Sequence, residues 1–136
     1  MAKKIAVVDG ANIAYIEQSQ QGDPKVSNIL AVRAALEKRG YEPIIIVDAS
    51  LIYEIDDKPQ LEALIDDQAV HQVPAQTDAD YFIIETAQEH KAIIVSNDQF
   101  EPYLKEYPWI EKQRVPLMII NGEVELYEPK LEENNG

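Results

Sequence analysis

Three short polar stretches group the side chains of this sequence that are best suited to chemistry: Asp9-Gly10-Ala11-Asn12, Thr77-Asp78-Ala79-Asp80 and Ser96-Asn97-Asp98. Two of them directly follow apolar runs, Ile5 to Val8 and Ala92 to Val95, and the third opens a helical segment after the run Ala69 to Val73. In a parallel α/β sheet the carboxyl ends of the strands share one edge, where ligands bind. Acids far apart in sequence would then meet in one crevice. Two unit charges about 4 Å apart repel by roughly 4 kcal/mol at an effective dielectric near 20. A cation resolves such a cluster, and an all-oxygen ligand set points to Mg²⁺ or Mn²⁺.

Each stretch also has a plain structural reading. Asp9-Gly10 is turn chemistry, but Asn12 adds an amide beside the carboxylate at the top of a strand, with Gly10 letting the chain bend away. Asp78 and Asp80 sit in a first helical turn, where the dipole favours acids, and Thr77-x-x-Asp80 is a variant capping box. In company with the other acids, Asp80 is the expected ligand and Asp78 a cap or supporting acid. Asp98 could cap the segment after it, yet Ser96 and Asn97 concentrate more polar atoms at that strand end than a cap requires. Asp48 lies at another strand end and could line the same crevice. His71 and His90 read as structural residues. Tyr15, Tyr81, Phe100, Tyr103 and Trp109 could stack bases, although core packing is the commoner use of such residues. Neither a Walker sequence nor Gly-x-Gly-x-x-Gly occurs, and no nucleophile signature supports serine or histidine chemistry.

The elements that must position these residues alternate along the chain. Strands are expected at 5–9, 43–47, 69–73, 92–96 and 115–120, the last continuing through Asn121-Gly122, a two-residue hairpin signal, into 123–127. Residues 10–26 read as a long loop. Ser27 is the expected N-cap of a helix striped by Ile29, Val32 and Leu36 and ended by Gly40. Short helical pieces follow at 51–55 and 59–67, then a helix from Thr77 or Asp78 to about Lys91, and another around 99–106. This alternation specifies an α/β fold, with a mainly parallel sheet covered on both faces and closed by a C-terminal hairpin.

Composition bounds the rest. The 136 residues suit one domain, placed at 1–128, with a polar C-terminal tail at 129–136. The absence of cysteine excludes disulfide partners and thiolate metal sites, and makes a cytoplasmic setting the default. No apolar stretch reaches the roughly 20 residues of a membrane span, and the apolar run after Lys4 is too short for a signal-peptide core. The net charge of −13 argues against tight, non-specific binding to polynucleotides. It leaves room for an enzyme that meets its substrate through a local patch and a bound metal.

At Val8-Asp9-Gly10-Ala11-Asn12 the chain resembles the NYN branch of PIN-like ribonucleases, and most of all the Regnase-type catalytic domain of CCCH-zinc-finger endoribonucleases and their stand-alone prokaryotic relatives. The likeness continues through Asn28 to Val32, Asp80 to Ile84, Ile94 to Asp98 and Pro116 to Gly122, spanning about residues 4 to 128. It implies a PIN-like three-layer α/β/α sandwich and a Mg²⁺- or Mn²⁺-dependent endoribonuclease acting on single-stranded RNA, leaving a 5′-phosphate and a 3′-hydroxyl. The family's functional residues fall on Asp9, Asn12, Asp80 and Asp98, with Asp9, Asp80 and Asp98 as the implied metal ligands. Asp78, Ser96, Asn97 and Glu101 are candidates for supporting roles, and Lys25, Arg33 and Lys105 for phosphate contact. Two departures stand out. Ala79 separates Asp78 from Asp80 where the eukaryotic enzymes have adjacent acids, and Pro102, beside Glu101, stands where they have a further acid. One ion rather than two, and weak activity, are the corresponding expectations. With no cysteine, these 136 residues hold no zinc finger to recruit RNA. The competing expectation is a weak or inactive domain that grips RNA or a protein without cutting it. A small-molecule phosphatase or nucleotide-binding domain on the same sheet would need a phosphate loop or a nucleophilic aspartate motif that is not found. The oligomeric state, a homodimer included, is left open by the sequence.

Overall fold

A computed structural model describes residues 3–17 and 19–128. The expected tail at 129–136 lies outside the described residues. The chain runs β1 (Lys4–Asp9), α1 (Gly10–Ala14), α2 (Val26–Lys38), β2 (Tyr41–Val47), α3 (Lys58–Asp66), β3 (Val70–Gln72), α4 (Ala79–His90), β4 (Ile93–Val95), α5 (Ile110–Gln113), β5 (Arg114–Val115), β6 (Leu117–Ile120) and β7 (Glu123–Leu126), with single 3₁₀ turns at Leu51–Tyr53 and Glu101–Tyr103. Strands 3-2-1-4-5 form one sheet, parallel throughout, and β6 pairs with β7 in a separate antiparallel hairpin.

Strand β1 lies at the centre of the sheet because Ala6, Val7 and Val8 are apolar on both faces and wholly buried. Successive side chains point to opposite faces. Ala6 and Val8 join Ile29, Val32 and Leu36 of α2, Leu61 of α3 and Leu117 and Ile119 of the hairpin. Val7 joins Ile83, Ile84 and Ala87 of α4, Phe100 and Ile110 on the other face. The result is the three-layer α/β/α sandwich. Among the described residues no helix is long and apolar enough to cross a membrane.

Several expected boundaries need correction. The loop at 10–26 begins with a helix, because Gly10 lets the chain turn hard against β2. A Cβ at Gly10 would lie 2.5 Å from Val47 Cγ1 and 3.0 Å from the Ile46 carbonyl oxygen. Ser27 does not cap α2; Lys25 holds that place, and Asp56 accepts the Val26 N–H at 3.0 Å. The expected helix at 99–106 shrinks to a 3₁₀ turn. Phe100 takes φ +54° ahead of Pro102, and its ring is buried against the α4 core. The single strand expected at 115–120 is two. Pro116 has no N–H for a ladder, so β5 stays in the sheet while β6 leaves it. The Asn121-Gly122 turn closes the hairpin with φ +51° and +80°, as a two-residue primed turn requires.

Candidate functional site

Strand β1 pairs with β2 on one side and β4 on the other, so the order of the sheet reverses beside β1. That reversal opens a crevice beyond the carboxyl ends of β1 and β4, the usual ligand position in such sheets. Asp9 ends β1, Ser96 to Asp98 follow β4, and Asp80 stands in the first turn of α4. One carboxylate oxygen from each of Asp9, Asp80 and Asp98 lies within 4.8 Å of the others. Asp9 is buried, Asp80 half-buried and Asp98 exposed, so the cluster grades from the interior to the solvent.

Short bonds hold this arrangement. Ser96, fully buried, donates its hydroxyl to Asp9 Oδ2 at 2.8 Å and accepts the Asp98 N–H at 3.0 Å. One hydroxyl thus ties two of the three acids together. Asp98 Oδ1 accepts the Phe100 N–H at 2.8 Å, which sets the turn that carries it. Asp78 is the N-cap of α4: Oδ1 accepts the Asp80 N–H at 3.0 Å, and Oδ2 accepts the Tyr103 hydroxyl. Both Asp78 oxygens are committed to the protein, which leaves Asp80 as the acid of this pair that faces the cluster.

Electrostatics follow from the geometry. Burial pushes the Asp9 carboxyl up from 3.8 to about 7, opposed by the Ser96 hydrogen bond and reinforced by Asp80. The nearby Asn12 N–H also lowers it, and Asp98 raises it. Asp80 is pushed up to about 6, first by burial and then by Asp98, Asp78 and Asp48. A cation among these oxygens would relieve the cost of ionising them. The donors are all hard carboxylate oxygens, and among the described residues neither histidine joins the group. The set fits Mg²⁺ or Mn²⁺.

The other sequence candidates fall into place differently. Asn12, the amide expected beside Asp9, accepts the Asn97 N–H on its Oδ1 at 3.0 Å. This bond ties α1 to the loop after β4. Asn97 clasps β6, its Nδ2 donating to the Leu117 carbonyl at 3.0 Å and its Oδ1 accepting the Leu117 N–H at 2.8 Å. It fastens the hairpin to the β4 loop. Asp48 accepts the Leu51 N–H at 3.1 Å and is close enough for its charge to act on Asp80. Glu101 lies exposed on its 3₁₀ turn outside the three-acid group. Lys25 and Arg33 pair with Glu17 at 3.5 Å and Glu37 at 3.7 Å, which draws both toward neighbouring acids. Lys105 is exposed, and no contact ties it to the acids.

Two residues of this neighbourhood escaped the sequence reading. Arg114 donates to the Ser96 carbonyl at 3.1 Å, and a lone arginine in an edge strand carries no signal of that role. Asn28, buried in α2, donates to the carbonyls of Ile13, Ala14 and Glu17 at 3.1–3.4 Å. It adds to the Ile16 and Lys25 N–H groups that meet the Ile13 and Ala14 carbonyls, and so steadies the helix that begins beside Asp9. The signal was available: a polar residue at the edge of an apolar stripe needs buried partners.

The sequence profile of the Zc3h12a-like Ribonuclease NYN domain matches residues 2–131. A search of curated proteins found no match. Among solved structures, two of nuclear proteinaceous RNase P 2 (PRORP2) from Arabidopsis thaliana are similar. One is 24% identical with a TM-score of 0.73, covering 91% of this chain and 29% of that one. The other is 22% identical with a TM-score of 0.73, covering 94% of this chain and 30% of that one. The chain therefore spans about three tenths of the length of these structures, and the likeness is one of fold.

Proposed function

Because the chain belongs to the Zc3h12a-like ribonuclease NYN domain family, we propose that it is a metal-dependent endoribonuclease that hydrolyses phosphodiester bonds of single-stranded RNA. The observation that carries this reading is the convergence of Asp9, Asp80 and Asp98, from three separate elements, within 4.8 Å. A domain that only gripped RNA would gain nothing from three mutually repelling acids at its ligand edge.

Asp9, Asp80 and Asp98 would hold one Mg²⁺ or Mn²⁺. When bound, the ion supplies charge neutralisation for the phosphate and a water of lowered pKa. The protein's own work is to fix the acids before substrate arrives. Ser96 holds Asp9 and the Asp98 backbone at a set spacing, Asp78 fixes the start of the helix carrying Asp80, and Asn12 locks the β4 loop against α1. Such pre-set dipoles and charges need no rearrangement as the reaction proceeds. Asn12 would use its Nδ2 to orient a ligand or a phosphate oxygen. The products are a 5′-phosphate and a 3′-hydroxyl. All three acids come from one chain, so a homodimer is not needed to complete the site. One domain over 1–128 and a cytoplasmic setting belong to the same proposal.

The test is incubation of labelled single-stranded RNA with the protein, with and without Mn²⁺, beside Asp9→Asn. Internal cleavage that needs both the metal and Asp9 is the expected result. The second reading, a domain that binds RNA without cutting, draws on the net charge of −13 and on Pro102, which stands where the eukaryotic enzymes resembled have a further acid. RNA binding that is indifferent to EDTA, with no cleavage, would favour it.

A further inference from the structure

An open groove of about 340 Å³ adjoins the acid cluster, lined by Asp48, Ser50, Tyr53, Pro74, Gln76 and Thr77 among others. It lies within the roughly 300–1,000 Å³ range of small-ligand clefts. Its lining includes Asp48, whose charge reaches Asp80, and Thr77, the residue before the Asp78 cap. The groove thus lies at the same sheet edge as the acids, formed by the segments that follow β2 and β3.

Its wall holds the most exposed large apolar side chain among the described residues, Tyr53, at 79% exposure. That exposure is built rather than incidental. Tyr53 sits on the 3₁₀ turn Leu51–Tyr53, anchored by Leu51 on one side and Ile55 on the other, both buried. The turn is closed by the Tyr53 N–H to the Ser50 carbonyl at 3.0 Å and by the Leu51 N–H to Asp48 Oδ1 at 3.1 Å. Lys58, which does not line the groove, has its Nζ 5.2 Å from the centre of the Tyr53 ring. A rigid turn therefore presents an aromatic plane, braced by a cation, beside an acid-rich crevice.

We infer that this groove is a nucleobase subsite in which Tyr53 stacks a base of the RNA strand adjoining the scissile phosphate; this rests on the ribonuclease reading above. Single-stranded RNA is the occupant whose chemistry suits the site. Every base offers a π-face, and stacking supplies affinity without relying on phosphate neutralisation. A chain of net charge −13, whose Lys25 and Arg33 lie against their own acids, has need of such a contribution. Pro74 and Ala75 give the same groove apolar lining, while Ser50 and Gln76 offer hydrogen bonds to a base edge.

The experiment compares wild type, Tyr53→Ala and Tyr53→Phe for binding to a short single-stranded RNA containing 2-aminopurine, in EDTA. A second RNA of equal charge carries an abasic residue at that position. Wild type and the Phe variant are expected to quench 2-aminopurine, and the Ala variant to bind about 5- to 150-fold more weakly, the range for losing one stacked base. The difference should vanish with the abasic RNA. Cleavage of the same RNA is measured separately with Mn²⁺. Cleavage with no Tyr53 dependence in KM or quenching would overturn the subsite and leave the ribonuclease reading standing. Tyr53-dependent quenching without cleavage would support the subsite and overturn the enzyme. A Tyr53→Ala loss that persists with the abasic RNA would overturn stacking as its cause. Tyr53 is exposed, so the variant is expected to fold, and unchanged circular dichroism verifies that.

Discussion

Replacing Asp9 with Asn should make the metal-free protein more stable at pH 8, although it removes the central acid of the site. Folding raises the Asp9 carboxyl from 3.8 to about 7, chiefly by burial. Between these two values the folded state binds the proton that the unfolded state has lost, so stability falls as pH rises through the window and levels off above about 7. A shift of about three units at 1.36 kcal/mol per unit is a penalty of about 4 kcal/mol on the alkaline side. Asn carries no charge and can still accept the Ser96 hydroxyl, so most of that penalty should return as stability, about 2–4 kcal/mol after allowing roughly 1 kcal/mol for an altered hydrogen bond. Near pH 4 the wild-type carboxyl is protonated in the native state, and the advantage should disappear.

Urea unfolding in EDTA at pH 4, 6 and 8, followed by the fluorescence of the single tryptophan, Trp109, measures the effect. Trp109 packs against the α4-side core and edge-on to Tyr107, so global unfolding changes its surroundings. Repeating the series in Mn²⁺ should remove most of the difference, because wild type gains about 2.7 kcal/mol at a hundredfold excess over Kd and the variant gains little. An Asn variant less stable than wild type at pH 8 would refute the argument, as would an advantage independent of pH. Either result would mean that burial does not penalise the ionised Asp9 carboxylate.

The remaining predictions probe the supports of the site. Gly10→Ala should cost about 1–3 kcal/mol, because its Cβ meets Val47 Cγ1 at 2.5 Å and the backbone of β2 cannot yield; thermal unfolding measures it, and an unchanged Tm would count against the close approach. Asn28→Ala removes a donor shared by three carbonyls at and beyond the end of α1; Ile13 and Ala14 keep the Ile16 and Lys25 N–H groups, so the cost should be about 0.5–1.5 kcal/mol, read by urea unfolding. Mn²⁺ affinity should weaken as pH falls from about 7, since the ion must displace the proton of Asp9, and isothermal titration in two buffers of different ionisation heat should show proton release. RNA binding should show a shallow salt dependence, about 0.7 in log–log slope for each neutralised phosphate, and should weaken when metal is chelated. A steep slope that is unchanged in EDTA would favour the binding-module reading.

The sheet was legible because parallel strands buried on both faces leave continuous apolar runs, as in Ile5 to Val8 and Ile44 to Val47. The convergence of the acids was legible for a related reason. If the strands are parallel, their ends coincide, and acids at those ends must meet. What stayed hidden depended on tertiary contact. The helix at Gly10 exists because β2 lies against it, and the split at Pro116 because β6 is clasped by Asn97 rather than by the sheet.

Ser96, Asn97 and Asn12 mark the limit of reading function from residue type. Polar side chains at a ligand edge suggest contact with a ligand, yet much of their hydrogen-bonding capacity is spent on the protein. Ser96 joins Asp9 to the Asp98 backbone, Asn12 holds the β4 loop, and Asn97 holds the hairpin. Sequence spacing cannot separate the two uses, because both place the same atoms at the same strand ends. Energetics can. Keeping Asp9 and Asp80 together while their pKa values rise to about 7 and 6 opposes folding, so some interaction must fix their positions before any cation does. Three neutral side chains bonded across β1, β4 and β6 meet that requirement without adding charge. Ser96→Ala should therefore leave the acids in place but loosen their spacing. The expected result is weaker Mn²⁺ binding with little loss of stability near pH 5, where Asp9 is mostly protonated, and a larger loss at pH 8, where the lost hydroxyl no longer offsets an ionised Asp9. A uniform loss at both pH values, with Mn²⁺ affinity unchanged, would assign Ser96 to packing alone.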